Sequence, residues 1–210
     1  MDPLQIALMG LDYAAVAVFA ATGALAGARR KHDIVTFGFF AAVTGVGGGT
    51  LRDLLLGAPV FWVQRPTYLV VALAASTAVW VFGWGRWRER ILTWLDALGL
   101  AAYAVVGAAK ASSLGAPPLS AVVMGVLTAT FGGVIRDVLA HEPSVLLRRE
   151  IYVTAALAGA AVFVALQSAG VALLPAGLAG FAAAFALRAA AIVLGLALPG
   201  FPGRGPKDDV

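Results

Sequence analysis

Two short segments of the sequence place adjacent glycines three or four residues ahead of an Arg-Asp pair. The first segment contains Gly47, Gly48, Gly49, Arg52 and Asp53, and the second contains Gly132, Gly133, Arg136 and Asp137. A glycine in a helix interior costs about 1 kcal/mol relative to alanine, and adjacent glycines loosen the helical hydrogen bonds. Carbonyl oxygens freed in this way can replace part of a cation's hydration shell. These segments, with Thr44 and Thr128 just ahead of them, are therefore predicted to form the centre of an ion pathway.

Close packing is the alternative explanation for glycines in membrane helices, because small residues let two backbones approach each other. We favour packing for Gly23, Gly107, Gly159 and Gly180. For the two segments we favour the ion pathway, since packing alone does not require an Arg-Asp pair after each glycine cluster.

The rest of the chain offers little material for catalysis or metal binding. It has no cysteine and only two histidines, His32 and His141, so disulfides and thiolate metal sites are excluded. It also lacks a nucleophile–base constellation, a phosphate-binding loop and a basic patch interleaved with aromatic residues. We therefore predict a protein that is not an enzyme, has no cofactor or metal, and does not bind nucleic acid.

Composition places the glycine segments in a membrane. Of the 210 residues, 61% are hydrophobic and 12% are charged, whereas soluble domains are about 45–50% apolar and about 25% charged. A helix that spans a bilayer needs about 20 mostly apolar residues. Seven such stretches occur, at about 4–27, 34–56, 66–84, 91–111, 118–140, 150–168 and 172–197. The sequence therefore predicts an all-α membrane protein with seven transmembrane helices, and the glycine segments fall in the second and the fifth.

The sequence overlays itself when it is shifted by 84 residues. Residues 11–68 then align with 95–152, with 15 identities in 58 positions. The informative matches are Asp12/Asp96, Gly23/Gly107, Thr44/Thr128, Gly48/Gly132, Gly49/Gly133, Arg52/Arg136, Asp53/Asp137, Pro59/Pro143, Arg65/Arg149 and Tyr68/Tyr152. Because each unit holds an odd number of helices, the second unit is predicted to be inverted in the membrane. We predict a first repeat at 1–90, an inverted repeat at 91–170, and a seventh helix with a tail at 171–210, with a translocation site between the repeats.

Lysines and arginines are concentrated in alternate loops. One side of the membrane has Arg29, Arg30, Lys31, Arg86, Arg88, Arg90, Arg148, Arg149, Arg204 and Lys207, and the loops on the other side have Arg65. The positive-inside rule then places the N-terminus outside and the C-terminus in the cytoplasm. The same arginines can attract anionic headgroups, so anionic membrane lipid is a candidate partner.

Charges inside the predicted helices need partners. A charge near the bilayer centre costs at least about 2.5–3.5 kcal/mol, and adjacent residues on a helix do not face one another. Each Arg and each Asp of the two pairs is therefore predicted to bind a group elsewhere and to form part of a gate, with snorkelling to the interface as the alternative. Arg188 lies mid-way along the seventh helix and is predicted to clamp Asp137 or Asp53.

Three further charges lie near the ends of predicted helices. Lys110 ends the fourth helix, where snorkelling and a role at a pore mouth explain it equally well. Asp12 and Asp96 begin the first and fourth helices. Exposure to water, or stabilisation of a helix N-terminus, explains these two carboxylates as well as attraction of cations does.

The doubled Gly-Gly-x-x-Arg-Asp motif resembles that of prokaryotic trimeric intracellular cation (TRIC) channels, whose bacterial members often carry a glycine-transporter-like domain label. The matching runs are 47–57 with Pro59 and 132–139 with Pro143, and the resemblance covers nearly the whole chain. It implies a homotrimer in the bacterial inner (plasma) membrane. It also implies one water-filled pore per protomer, formed by the first, second, fourth and fifth helices, that conducts potassium and sodium.

The resemblance further implies kinks at the glycines and closure by hydrogen bonds near the helix ends. Animal members have a Lys-Glu-Val motif in the fourth helix, but here Lys110 is followed by Ala111 and Ser112. Voltage or calcium control of the animal kind is therefore not implied for this chain.

Three functions fit these residues. We favour a passive channel for monovalent cations, because two facing glycine breaks supply carbonyl oxygens and no acidic ring is strong enough to hold a divalent ion. A secondary transporter of a small zwitterion such as glycine fits inverted repeats equally well, with the N-terminus of a half-helix holding the carboxylate. A non-conducting membrane scaffold or sensor is the third.

Overall fold

The computed structural model describes residues 3–29, 32–82, 85–147 and 150–199, which form a bundle of helices. Within these ranges there are eight α-helices, two 3₁₀ helices and no strand apart from one isolated antiparallel bridge between Glu150 and Ala197. Five of the helices are long and apolar enough to cross a membrane. The prediction of an all-α membrane fold is therefore confirmed.

The helices follow the predicted spans to within three residues at each end. They are α1 (Pro3–Arg29), α2 (Ile34–Leu55), α3 (Phe61–Gln64), α4 (Thr67–Phe82), α5 (Arg88–Ser113), α6 (Pro118–Leu139), α7 (Val153–Ser168) and α8 (Leu173–Leu194). The short α3 and the 3₁₀ helices at Gly85–Trp87 and Val145–Leu147 are not among the predicted spans. The seven predicted helices correspond to α1, α2, α4, α5, α6, α7 and α8.

Two of these seven helices are short. α4 and α7 have 16 residues each, which corresponds to a length of about 24 Å at 1.5 Å per residue. The hydrocarbon core of a bilayer is about 30 Å thick. By length, therefore, α4 and α7 do not by themselves establish the count of seven membrane crossings.

The 84-residue register of the sequence reappears in the helix bounds. Adding 84 to the bounds of α2 gives the bounds of α6. Adding 84 to the bounds of α1 gives the bounds of α5 to within one residue. The turns that follow α2 and α6 also correspond, since Gly57 has φ 63° and its counterpart His141 has φ 52°. Few residues with a Cβ adopt this left-handed conformation, so the fold repeats the turn even where the sequence does not. One template thus serves α1-α2-α4 and α5-α6-α7, and α8 is added to it.

α2 begins at a capped N-terminus outside the membrane-spanning segment. Asp33 Oδ1 accepts hydrogen bonds from the backbone N–H groups of Val35 and Thr36, both at 2.9 Å, and Asp33 Oδ2 accepts one from the Thr36 hydroxyl at 3.0 Å. These bonds, led by the one from the Thr36 N–H, hold the pKa of the Asp33 carboxyl below its ordinary value. The cap fixes the residue at which α2 starts.

α2 and α6 cross at their glycines. Both helices run through the glycines without interruption, so the predicted breaks are wrong. A Cβ atom added to Gly48 would collide with the Thr128 carbonyl oxygen, and one added to Gly132 would lie 2.5 Å from the Thr44 carbonyl oxygen. The glycines therefore let two antiparallel backbones touch, which is the packing explanation.

Packing also accounts for the four glycines to which it was assigned from the sequence. A Cβ atom on Gly23 would lie 2.6 Å from Thr44 Oγ1, and one on Gly107 would lie 2.5 Å from Thr128 Oγ1. Gly159 and Gly180 face each other, and a Cβ on either would lie 2.7 Å from the other's carbonyl oxygen. These glycines bring α1 close to α2, α5 close to α6 and α7 close to α8, which is the close packing favoured for them from the sequence.

Most of the loop charges behind the predicted orientation lie outside the described residues: Arg30, Lys31, Arg148, Arg149, Arg204 and Lys207. The side chains of Arg86 and Arg88 lie outside them as well. The orientation of the chain in the membrane therefore stays a prediction.

Candidate functional site

The charged end of α2 is buried, with the side chains of Arg52 and Asp53 only 1% and 0% exposed. Arg52 Nε and Nη2 both lie 2.8 Å from Asp53 Oδ1, and Lys110 Nζ lies 2.7 Å from the same oxygen. The backbone N–H of Phe61 donates to Asp53 Oδ2 at 2.9 Å. We call Arg52, Asp53, Lys110 and Phe61 the Asp53 network. Two cations and a backbone donor thus compensate one buried carboxylate.

The pairing of Arg52 with Asp53 shows that the prediction that the two neighbouring charges do not bind each other was wrong. The predicted partner elsewhere is found for Asp53, which also binds Lys110 of α5. Adjacent residues leave a helix in different directions, but the arginine side chain is long enough to bend round to its neighbour. Burial removes water as an alternative partner. The same burial shows that snorkelling does not explain this pair. Lys110 is 30% exposed, and it too has a carboxylate partner.

A cavity of about 750 Å³ lies beside the Asp53 network, lined by Asp12, Arg65, Tyr68 and Lys110 together with apolar residues such as Val106. We call it the Lys110 cavity. The Tyr68 hydroxyl donates to Asp12 Oδ2 at 2.9 Å. Because α1 begins at Pro3, Asp12 lies beyond the first helical turn, and stabilisation of the helix N-terminus does not explain it.

The end of α6 repeats this arrangement. Arg136 Nε and Nη2 both lie 2.9 Å from Asp137 Oδ1, and the Val145 N–H donates to Asp137 Oδ2 at 3.0 Å. Arg136 Nη1 donates to Asp96 Oδ1 at 2.6 Å and to the Thr22 hydroxyl at 3.1 Å. We call Arg136, Asp137, Asp96 and Thr22 the Asp137 network. Asp96 is only 3% exposed and lies two turns into α5, so neither water nor the helix N-terminus is its partner.

A smaller cavity, of about 110 Å³, lies beside the Asp137 network and is lined by Asp96, Arg136 and Asp137 among others. We call it the Arg136 cavity. Arg188 lies on its wall but does not bind Asp137 or Asp53. Instead, Arg188 Nη2 donates to Glu150 Oε2 at 2.8 Å.

The environment of Arg188 shows why its predicted partners were wrong. Its Nη1 donates to the carbonyl oxygen of Ile151 at 3.3 Å, and its guanidinium lies 5.1 Å from the centre of the Tyr152 ring. All these partners lie in the segment just ahead of α7, which packs against α8. Arg188 therefore holds α8 to the start of α7 rather than closing the end of α2 or α6.

Besides Phe61, which binds through its backbone, four residues that act through their side chains were not among the predicted site residues: Thr22, Tyr68, Glu150 and Tyr152. Tyr68 and Tyr152 had a signal, because they are an identical pair in the 84-residue register. Thr22 and Glu150 had none, since their counterparts in that register are Val106 and Pro66.

The two cavities lie at opposite ends of the α2–α6 contact. The close approaches pair residue 48 with residue 128 and residue 44 with residue 132, so the two helices run antiparallel and their charged ends point away from each other. The predicted pore-centre residues Gly47, Gly48, Gly49, Gly132, Gly133, Thr44 and Thr128 are buried and line neither cavity. The arrangement is therefore two cavities closed off from each other by packed backbone and two buried charge networks.

Within the described parts of the chain, no group of three or more His, Asp or Glu side chains is arranged to hold a metal ion. The carboxylates at the site are already bound to arginine, lysine or tyrosine. The arrangement therefore allows each carboxylate to exchange its present partner for another of these side chains or for a mobile cation.

Comparison with known proteins places the chain in a family. A family model described as glycine transporter matches residues 9–84 and again residues 93–168, and the two matches are offset by the same 84 residues as the internal repeat. The UPF0126 inner membrane protein YadS of Escherichia coli K12 is 44% identical over 195 residues, which cover 91% of this chain and 94% of that protein. The UPF0126 membrane protein YvgT of Bacillus subtilis is 38% identical over 158 residues, which cover 71% and 76%.

Solved structures agree with this placement. A TRIC trimeric intracellular cation channel orthologue from Rhodobacter sphaeroides is 51% identical, with a TM-score of 0.88, over 90% of this chain and 99% of that one. A prokaryotic TRIC channel crystallised in 0.5 M KCl is 29% identical, with a TM-score of 0.85, over 91% and 98%. The doubled motif, the doubled family match and the shared fold agree, and the chain belongs to the family of trimeric intracellular cation channels.

Proposed function

We propose that this protein is a passive channel for monovalent cations, potassium and sodium, with one pore through each protomer. The observation that carries the proposal is the pair of cavities that approach each other from opposite ends of the α2–α6 contact. The structural relatives are named as cation channels, and one of them is 51% identical to this chain. The path between the cavities is the pore, and the structure holds it in a closed arrangement.

Opening requires α2 and α6 to separate where Gly48 meets Thr128 and Gly132 meets Thr44. The nearest contact at each of these points is between a glycine and a backbone carbonyl, so the two backbones themselves form the constriction. Separation exposes the Thr44 and Thr128 carbonyl oxygens, which a dehydrated potassium or sodium ion can use as ligands. Partner exchange in the Asp53 and Asp137 networks then opens the two ends.

The membrane topology follows from the same proposal. All seven helices that correspond to predicted spans, the short α4 and α7 included, cross the membrane, and residues 1–90 and 91–170 form inverted repeats, with 171–210 as the added helix and tail. Inversion places the Asp53 network near one membrane face and the Asp137 network near the other. The protein assembles as a homotrimer in the bacterial inner membrane with its N-terminus outside and its C-terminus in the cytoplasm, and anionic lipid contacts the loop arginines. Support comes from the names of the relatives, which include inner membrane protein and trimeric channel.

A transporter of a small zwitterion such as glycine is the second candidate. The Lys110 cavity favours it, because Asp12 can face an ammonium group while Lys110 and Arg65 face a carboxylate. The description of the matching family model is consistent with it.

Planar-bilayer recording separates the two candidates. We expect unitary currents from purified protein under a potassium chloride gradient. Their reversal potential should lie closer to the equilibrium potential of potassium than to that of chloride. A matched control is the Gly48→Leu/Gly132→Leu variant, whose side chains fill the path and abolish current while the oligomer survives on size-exclusion chromatography. Silent bilayers together with accumulation of labelled glycine in vesicles would show that the channel proposal is wrong.

A further inference from the structure

An aromatic ring separates the Lys110 cavity from the glycines of α2. The side chain of Phe61 lines the cavity on one side and covers Gly49 on the other. A Cβ atom added to Gly49 would lie 2.6 Å from Phe61 Cε1 and 3.2 Å from Phe61 Cζ. Gly49 is next to Gly48, where α2 meets α6. The ring therefore lies where the cavity ends and the contact between the two helices begins.

The Asp53 network holds this ring in place. The backbone N–H of Phe61 donates to Asp53 Oδ2 at 2.9 Å. The guanidinium of Arg52 lies 5.7 Å from the centre of the Phe61 ring, and Lys110 Nζ lies 6.0 Å from it. The face of an aromatic ring carries partial negative charge and attracts a cation within about 6 Å. The two cations that bind Asp53 therefore also bind the ring.

The short helix α3, which begins with Phe61, is fastened on two sides. Trp62 Nε1 donates to the Thr50 hydroxyl of α2 at 2.9 Å. The ring of Tyr68, on α4, meets the Phe61 ring edge to face, with the two ring centres 4.7 Å apart. These contacts to α2 and α4 determine where α3 presents the ring.

The second half of the site keeps the backbone bond but has no ring at this position. The counterpart of Phe61 in the 84-residue register is Val145, whose N–H donates to Asp137 Oδ2 at 3.0 Å. Val145 also lines the Arg136 cavity. Valine has no π face, so it offers a cation no comparable attraction.

Polar groups occupy the corresponding space in the second half. A Cβ atom added to Gly133, the counterpart of Gly49, would lie 3.0 Å from the Tyr152 hydroxyl and 3.5 Å from Arg136 Nη2. One template thus places a hydrocarbon ring over the glycine at the wide end and polar groups over the glycine at the narrow end.

We propose that the Phe61 ring is the plug of the wide end of the pathway, held over Gly49 by its contacts with Arg52 and Lys110. A cation passes only after the ring has moved away from Gly49. Phe61 lies outside the Gly-Gly-x-x-Arg-Asp motif. The plug rests on the proposed channel function for its effect on current, whereas the contact between the ring and Lys110 can be measured without current.

Partner exchange at Asp53 releases the plug. When Asp53 Oδ2 binds another group, the N–H of Phe61 loses its acceptor and the start of α3 is free to turn. The Lys110 cavity, at about 750 Å³, is large compared with a phenyl ring and accepts it. The movement uncovers Gly49 and gives a cation access to the α2–α6 contact.

Fluorination of the ring tests its hold on Lys110 with little change in shape. In 3,4,5-trifluorophenylalanine the fluorine atoms withdraw the negative charge from the ring face on which the attraction depends. With this residue in place of Phe61, we expect the rate of Lys110 acylation by a water-soluble reagent to rise about two- to five-fold, the factor for a weak cation–π contact. Acylation is followed in detergent by mass spectrometry of the Lys110 peptide.

A graded response identifies the cation–π contact. 4-Fluorophenylalanine at position 61 should give an intermediate rate. The matched control is trifluorophenylalanine in place of Phe181, which stacks on Phe185 in α8 and should leave the rate unchanged. An unchanged rate with trifluorophenylalanine at position 61 would overturn the plug.

A double-mutant cycle tests the contact between the ring and Gly49 in planar bilayers. The three atoms nearest to a Cβ on Gly49 all belong to the Phe61 ring, so Gly49→Ala displaces the plug. It should raise the ratio of open to closed channels by at least about five-fold. Phe61→Val, which supplies the side chain of the second half, should also raise this ratio. Gly49→Ala should then add nothing in the Phe61→Val background, and an equal effect in both backgrounds would refute the plug.

The two experiments separate the plug from the channel function. If the unmodified protein carries no current but acylation responds to fluorination, the channel proposal fails and the contact between the ring and Lys110 stands. If current is present and acylation does not respond, the plug fails and the channel stands.

Discussion

Alanine and leucine at Gly132 are expected to act in opposite directions on the channel. In the closed arrangement a Cβ atom on Gly132 would lie 2.5 Å from the Thr44 carbonyl oxygen, whereas ordinary contact begins at 3.4 Å. A methyl group therefore forces α2 and α6 apart by close to the difference, about 0.9 Å. Overpacking of this kind costs about 1–3 kcal/mol, and backbone atoms on both sides leave little room for relaxation.

That cost falls on the closed arrangement, because the proposed open one already separates the two helices. Gly132→Ala should therefore raise the ratio of open to closed channels by about five-fold for 1 kcal/mol and by more than a hundred-fold for 3 kcal/mol. Gly132→Leu places three more carbon atoms in the same space and should block the path even when the helices part.

Single-channel recording in planar bilayers measures open probability for both variants. Gly10→Ala is the matched control, since a Cβ atom there has no heavy atom within 4 Å, and it should leave open probability unchanged. If Gly132→Ala lowered open probability as leucine does, the α2–α6 contact would not be the closed gate. An unchanged open probability in Gly132→Ala would mean that the helices do not separate on opening.

Three further predictions concern single side chains. Lys110→Met removes the ammonium group bound to Asp53 and with it a positive charge that repels entering cations, so unitary conductance at low salt should rise. The difference in conductance between variant and wild type should shrink as ionic strength rises. An equal gain at all salt concentrations would count against an electrostatic cause. Glu150→Gln removes the carboxylate beside the buried Arg188 guanidinium and should lower the free energy of unfolding, measured by thermal melting in detergent, by about 1–3 kcal/mol. The double variant Glu150→Gln/Arg188→Met should recover part of this loss. A double variant that loses more stability than the two single variants together would refute the pairing. The pKa of Asp33 is held below its ordinary value in the folded protein. The stabilisation that the cap provides is therefore complete above about pH 4 and is lost as pH falls through the lowered pKa. The difference in melting temperature between wild type and Asp33→Ala should vanish at low pH, and a difference that grows there would contradict the cap.

The helices could be predicted from the sequence because apolar length and proline breaks determine them locally. The charged partners could not, for two different reasons. Arg52 binds its own neighbour, against the geometric rule for adjacent residues, because burial leaves its long side chain no better acceptor. Arg188 binds Glu150, 38 residues away in sequence, and only the packing of α7 on α8 brings the two together.

The glycine segments show a different limit. Their spacing and repetition point to two matching segments, and Gly48 and Gly132 lie where α2 contacts α6. However, the same residue type both weakens a helix and lets two helices touch, and composition cannot distinguish these effects. Contact with the Thr128 and Thr44 carbonyls decides in favour of packing, since each helix keeps its own hydrogen bonds.

The pairing of each arginine with the next residue also bears on how the protein enters the membrane during synthesis. Arg52 with Asp53, and Arg136 with Asp137, carry opposite charges on one helix at 2.8 and 2.9 Å. Each helix therefore brings its own counterion and can leave the translocon as an electrically neutral segment, although an isolated arginine at mid-helix costs about 2.5–3.5 kcal/mol to insert. Lys110 arrives later, on α5, and joins the Arg52–Asp53 pair, whose charges are already compensated. Asp96, on the same helix, is made before its partner Arg136 on α6. The insertion of α2 and of α6 therefore does not depend on the earlier arrival of a distant counterion.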